Sequence, residues 1–178
     1  MNWKEIYNDR LMTAEEAVKK IKSKDRVVIG HAVGEPSYVV EKMVENKEQY
    51  EDVEIVHMVA MGKGEYCQPG MEKHFRHNSI FVGGCTRDAV NSGRGDFTPS
   101  FFYQVPKLFK TTMPVDVALI QVTPPDEHGY CSLGVSVDYT KPAAEAAKTV
   151  IAQVNDRMPR TMGESFIHVT EIDCFVEH

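Results

Sequence analysis

The run Val27-Val28-Ile29-Gly30-His31-Ala32-Val33-Gly34-Glu35-Pro36 constrains this chain more than any other stretch. Its three branched apolar residues predict a short buried strand. Gly30 and Gly34 frame a loop, and Pro36 suits the first turn of a helix, where a missing N–H costs nothing. Val39, Val40, Met43 and Val44 then recur at helical spacing. A strand, a glycine-bearing turn and a helix N-terminus make a cradle of backbone N–H groups in which the helix dipole favours negative charge. Ligands of α/β proteins sit at such strand ends. The same pattern also serves as a plain strand–helix connection.

The rest of the chain repeats this alternation. Residues 2–10 predict an amphipathic helix carrying Trp3, Ile6 and Tyr7. Thr13-Ala14-Glu15-Glu16 is a capping box, followed by an apolar stripe of Ala14, Ala17, Val18 and Ile21. The helix after Pro36 is expected to end near residues 47–50. Strands are expected over 53–60, over 79–83 with Ile80-Phe81-Val82 at its centre, over 115–122, and over 149–154 as the last core strand. Residues 65–77 and 93–100 read as connections. Short helices are expected up to Asn91-Ser92-Gly93, over 104–110 and over 143–148. Tyr130 to Leu133 reads as a returning strand that makes a hairpin with 115–122 across a long tip. The tail, 166–176, suits an edge strand or short turns. Strand and helix alternating in this way predict an α/β fold, an open, mostly parallel sheet with helices on both faces. The 178 residues, 42% of them hydrophobic, suffice for one such core.

Composition narrows the function classes. A net charge of -6 without a basic cluster argues against a nucleic-acid surface. No apolar run reaches the ~18 residues of a membrane span. The first residues carry no signal-peptide core, so a cytoplasmic location is expected. Cys67, Cys85, Cys131 and Cys174 show no metal-ligand spacing, so reduced thiols and no metal site are expected. The Arg94-Gly95-Asp96 triplet is a short motif without context.

The chain contains no Gly-x-Ser-x-Gly elbow, Walker loop or dinucleotide fingerprint. Lys63 within Gly62-Lys63-Gly64 suits either a solvated loop or an anionic ligand. Glu35 beside a helix start is accounted for by the dipole alone, and His31 suits either loop packing or substrate contact. Gly34, Gly62, Gly93 and Gly134 are expected at strand or helix ends, where glycine lets backbone approach a ligand. The expectation is a rim of backbone donors able to stabilise an oxyanion, without a nucleophile of its own.

Several segments together resemble the N-terminal half of the acetyl-CoA hydrolase/transferase family, which includes 4-hydroxybutyrate and butyryl-CoA:acetate CoA-transferases. They are Gly30 to Pro36, His57-Met58-Val59 with Gly62 to Tyr66, Val122 to Asp126 with Gly129 to Tyr139, and Val154-Asn155-Asp156. The resemblance runs in order from Trp3 to the end. It implies a CoA-transferase-type N-terminal domain over 1–178. It also implies a ping-pong transfer of CoA between a short acyl-CoA and acetate through a glutamyl-CoA thioester. Coenzyme A is then a substrate, and no permanently bound cofactor is expected. The family's catalytic glutamate lies in a second half beyond His178, so no catalytic residue is expected in this chain, and Glu35, Glu65 and Glu127 match no part of that motif. His31, Gly34, Glu35, Pro36, Gly62, Lys63, Gly64, Asn91, Ser92, Gly93, Ser132, Gly134 and Ser136 are the expected substrate-binding residues. The expected partners are an acyl-CoA, a short carboxylic acid, the second half of the protein and further copies in a homo-oligomer. An acyl-CoA hydrolase and a non-catalytic stand-alone binding domain are the alternatives.

Overall fold

A computed structural model describes residues 2–178. Seven parallel strands form the main sheet in the order β4-β3-β2-β1-β5-β7-β9. They are β1 (Arg26–Ile29), β2 (Val53–His57), β3 (Phe75–Ser79), β4 (Gly95–Phe97), β5 (Val117–Val122), β7 (Thr149–Val154) and β9 (Cys174–Glu177). A separate antiparallel pair joins β6 (Tyr130–Ser132) to β8 (Phe166–His168).

The period of two along each strand divides the core between two faces. Val27, Ile29, Val117, Leu119 and Ile151 face one side with α2 (Ala14–Val18) and α3 (Ser37–Glu45). Val28, Ala118, Ile120, Val150 and Ala152 face the other. There they meet α1 (Trp3–Arg10) through Ile6 and Tyr7, α5 (Val105–Lys110) through Val105 and Phe109, and α6 (Thr140–Ala146) through Ala143 and Ala144. The capping box at Thr13 forms as expected: its hydroxyl accepts from Glu16 N at 3.2 Å, and Glu16 Oε2 accepts from Thr13 N at 3.0 Å.

Three expectations change. The third strand is Phe75-Arg76-His77-Asn78-Ser79, four residues earlier than the apolar triplet suggested. Its polar residues are tolerated inside because they find partners: Asn78 Nδ2 donates to Glu54 Oε1 at 2.8 Å, and Thr98 Oγ1 donates to Asn78 Oδ1 at 2.8 Å. Residues 95–97, which follow α4 (Arg87–Asn91), extend the sheet as β4 instead of lying in a loop. Tyr130 to Ser132 makes no hairpin with β5, because β1 and β7 already fill both edges of β5, and it pairs with β8. The tail supplies β9, an edge strand outside β7, as its spacing allowed.

Leu119 is fully buried in the central strand pair, whereas Val135 is 46% exposed. Leu119→Ala is expected to lower the unfolding free energy by about 3 kcal/mol, and Val135→Ala by under about 0.5 kcal/mol, in chemical denaturation.

Candidate functional site

The chain leaves β1 toward α3 on one face and leaves β5 toward α6 on the other, so the loops after these adjacent strands diverge. A crevice opens at such a reversal of strand order. Gly30 and His31 stand at its head. The His31 backbone N–H donates to Ser136 Oγ at 3.1 Å and to Thr140 Oγ1 at 3.3 Å. Its Nδ1 lies 3.0 Å from Asp138 Oδ2, and its ring lies between Phe102 (5.6 Å, edge-on) and Tyr139 (5.3 Å). A carboxylate beside Nδ1 holds the proton there and fixes the ring plane. Tyr139, fully buried, donates to Ile29 O at 2.6 Å and accepts from Met58 N at 3.3 Å. A groove of about 560 Å³ lined by Phe101, Phe102, Tyr103, Pro106, Asp138 and Tyr139 adjoins the His31 ring.

Ala32 next to His31 adopts a left-handed φ of 51° without being glycine, a conformation that stores strain. It is held by Ala32 N donating to Val59 O at 3.0 Å and by Glu35 N donating to Ala32 O at 3.1 Å. Gly34 is required for contact. A Cβ there would overlap Ser136 Cβ, so only glycine lets the two loops touch.

Glu35 is 5% exposed, and its Oε2 accepts from Gly62 N at 2.9 Å. Burial pushes its carboxyl pKa upward, against the pull of the Gly62 and Met61 amides. A Cβ at Gly62 would overlap this carboxylate. Glu35, Ser37, Met61, Gly62, Lys63 and Gly64 border a second cavity of about 410 Å³. Fully buried His57 lies beneath, its pKa pushed down to about 3, chiefly by burial. His77 is likewise depressed, to about 4.

The structure gathers His31, Gly34, Glu35, Pro36, Gly62, Lys63, Gly64 and Ser136 at the C-terminal ends of β1, β2 and β5. Ser132 and Gly134 are turned to internal work: Ser132 Oγ accepts from Gly134 N at 3.1 Å and from Thr161 N at 3.2 Å. Asn91, Ser92 and Gly93 are not brought to the crevice. They precede β4, and Gly93 O accepts from Arg76 near the start of β3, at the opposite end of the sheet.

The expected rim of glycine donors is also absent among the described residues. Gly34 N donates to His31 O, Gly62 N to Glu35, Gly93 N to Val90 O and Gly134 N to Ser132 Oγ. Nor is the α3 N-terminus an open cradle. Pro36 stands just outside the helix, and Gln153 Oε1 takes the N–H groups of Tyr38 (3.1 Å) and Val39 (3.4 Å). Phe102, Asp138, Tyr139 and Thr140 were not singled out as site residues from the sequence, because they reach His31 from over 70 positions away.

The sequence matches the profile described as the acetyl-CoA hydrolase/transferase N-terminal domain over residues 1–178. It is 67% identical to the 4-hydroxybutyrate coenzyme A transferase of Clostridium kluyveri across 99% of this chain and 42% of that protein. It is 33% identical to the butyryl-CoA:acetate CoA-transferase of Anaerostipes caccae across 99% of this chain and 41% of that protein. The crystal structure of a Porphyromonas gingivalis 4-hydroxybutyrate CoA-transferase superposes with a TM-score of 0.84 at 36% identity, over 99% of this chain and 41% of that one. RipA from Yersinia pestis superposes with a TM-score of 0.93 at 29% identity, over 100% of this chain and 44% of that one. The chain thus spans about two fifths of the length of these relatives.

His57 and His77 are held neutral in the folded state and charge once unfolded, so their contribution is complete above the ordinary histidine value of 6.5 and lost as pH falls toward their folded values. Each ring is expected to remove up to ~1.4 kcal/mol per pH unit below about pH 6.5. Urea titrations between pH 7 and pH 5 should show this slope, and His77→Gln should reduce it by one proton.

Proposed function

This chain belongs to the acetyl-CoA hydrolase/transferase family, of which it is the N-terminal domain, and from that premise we propose that it forms the substrate-binding half of a CoA-transferase. The whole protein would move CoA between a short acyl-CoA, 4-hydroxybutyryl-CoA or butyryl-CoA, and acetate. The observation that carries this reading is the 67% identity across nearly the entire chain to a 4-hydroxybutyrate CoA transferase.

In the proposed reaction a glutamate outside these 178 residues attacks the thioester carbonyl. The C–S bond breaks, leaving an acyl-glutamyl anhydride and the CoA thiolate. The thiolate attacks the glutamyl carbonyl, releasing the first carboxylate and forming a glutamyl-CoA thioester. Acetate attacks that thioester, the CoA thiolate leaves again, and its attack on the acetyl carbonyl yields acetyl-CoA and free glutamate. A carboxylate is a weak nucleophile, so binding energy and polar contacts must lower each barrier. The chain's own part is to seat the acyl group. His31, oriented by Asp138 and flanked by Phe102 and Tyr139, offers one directional polar atom among aromatic rings. Gly34, Ser136 and the Glu35–Gly62 contact fix the loops around it.

The exposed apolar side chains support a docked second half. Val33, Met61, Phe81, Phe97, Phe101, Phe102 and Tyr103 are each at least half exposed, and all lie at or after the C-terminal ends of β1 to β4. Clusters of this kind mark contact surfaces. We place the remainder of the polypeptide there, with association of copies wherever it is missing.

The complete gene product is expected to exchange CoA between butyryl-CoA or 4-hydroxybutyryl-CoA and acetate, and borohydride should trap a glutamyl thioester. The 178-residue chain alone should give no turnover. His31→Ala in the complete protein should reduce kcat/KM by roughly a hundredfold, as loss of a polar group poised at the reacting centre does. Acyl-CoA consumption without acetate would assign a hydrolase, and neither exchange nor a trapped thioester would refute the reading.

A further inference from the structure

The strongest unexplained group is a buried histidine. His57 ends β2, is fully enclosed, and its Nε2 has no hydrogen-bond partner among the described residues. A buried polar atom left in this way costs stability and calls for a reason. Its other nitrogen, Nδ1, lies 2.9 Å from the hydroxyl of Tyr66, which is also fully buried.

That contact is compatible with two tautomers, and the buried hydroxyl's own need for an acceptor favours one of them. His57 Nδ1 is the hydrogen-bonding atom that the Tyr66 hydroxyl meets, so satisfying the buried hydroxyl makes it the donor and Nδ1 the acceptor. The neutral ring then carries its hydrogen on Nε2. Nε2–H faces Glu35 Oε2 at 3.9 Å, too long for a hydrogen bond but an attractive contact between an N–H dipole and a carboxylate with little water to screen it. Glu35 Oε2 in turn accepts from Gly62 N at 2.9 Å.

We propose that Glu35 is a positioning residue, the carboxylate end of a buried Tyr66–His57–Glu35 chain that pins the Met61–Gly62 turn at the mouth of the crevice. The chain closes on itself. Tyr66 lies in the 3-10 turn Glu65–Cys67, at the far end of the loop whose near end Glu35 holds. Glu35 enters from the β1–α3 connection and is fixed behind by Gln121 Nε2, which donates to its carbonyl at 2.9 Å. Gly62 has no Cβ because the carboxylate occupies that space. The two strand-end loops are therefore joined by polar contacts and by backbone proximity, and Met61 and Lys63, both largely exposed, are displayed from a fixed base. This role extends beyond the transferase reading and does not depend on it, since every readout below is taken without turnover.

The test uses the complete gene product. With ¹⁵N-labelled histidine and His57→Gln for assignment, the His57 ring at pH 7 should show a protonated Nε2 and an unprotonated Nδ1. The opposite tautomer would overturn the proposal. Tyr66→Phe should abolish that preference, and an unchanged ring signal would equally count against it. Hydrogen exchange followed by mass spectrometry should show protection of the 58–66 segment falling roughly tenfold or more in Glu35→Ala, which removes the acceptor, the scale expected for losing a hydrogen bond to a charged group, while residues 53–57 stay protected. Unchanged exchange at 58–66, or an equal rise through β2, would refute a local pin. Glu35→Asp keeps the charge on a shorter arm, and should also loosen 58–66 if reach into the turn is what matters. Wild-type exchange there would overturn the assignment.

Discussion

Both hydrogen-bonding edges of β1 and both edges of β5 are filled, and they are filled by parallel partners. A parallel strand cannot return beside itself through a tight turn; it must leave over one face or the other. Because β1 departs toward α3 and β5 toward α6, the backbone parts above Ile29 and Leu119, and the protein's crevice is the gap that results. The inability of β5 to accept another strand also sends Tyr130 to Ser132 away to pair with β8, and so places the 133–140 segment over β1. The site is thus a consequence of sheet topology before any side chain is considered.

Divergent loops need to be tied, or the gap would have no fixed shape. The ties here are short-range and polar. Ser136 and Thr140 hold the His31 amide, Val59 holds Ala32, and Glu35 reaches Gly62. Two of them work only because a Cβ is missing, at Gly34 against Ser136 and at Gly62 against Glu35. The left-handed Ala32 is the strain held in place by this over-determined surround. The glycines thus serve contact between loops, and their N–H groups are consumed by the fold. The N–H groups of Gly34, Gly62, Gly93 and Gly134 are therefore not open oxyanion donors for the proposed transferase.

Much of the fold was legible because its central strands are apolar and the start of α2 is capped in a way that sequence displays. Val27-Val28-Ile29, Val117 to Val122 and Thr13 to Glu16 each act as their patterns dictate. Legibility failed where polar partners replace hydrophobicity. Phe75 to Ser79 reads as a connection, yet Glu54 and Thr98 satisfy Asn78, and the Ile55 carbonyl lies 3.2 Å from His77 Nδ1. Such pairings are tertiary, and no window of sequence contains both members. The site divides in the same way. His31, Glu35 and Gly62 could be singled out from their places beside strands, but Phe102 and Asp138 meet His31 only through the fold. Asn91-Ser92-Gly93 shows the converse: a glycine after a helix marks a turn, and the turn falls at the end of the sheet where β4 begins.

The same division accounts for what this domain leaves on its surface. Its two faces are closed by helices, so nearly all the large aliphatic side chains of the sheet are buried. Apart from Tyr130, the aromatic residues that remain exposed lie at or after the C-terminal ends of β3 and β4, and Phe102 contacts the His31 ring. A crevice in an α/β sheet has walls only as high as the loops around it, and a substrate the size of CoA needs more wall than the loops of β1, β2 and β5 supply. An apolar rim next to the strained, polar-tied junction at Ala32 is the arrangement that the proposed second half would complete. In that proposal the acyl pocket would lie where the two parts meet and its shape would be set jointly: His31, Asp138 and Phe102 give one side a fixed form, and the residues that approach them would give the other.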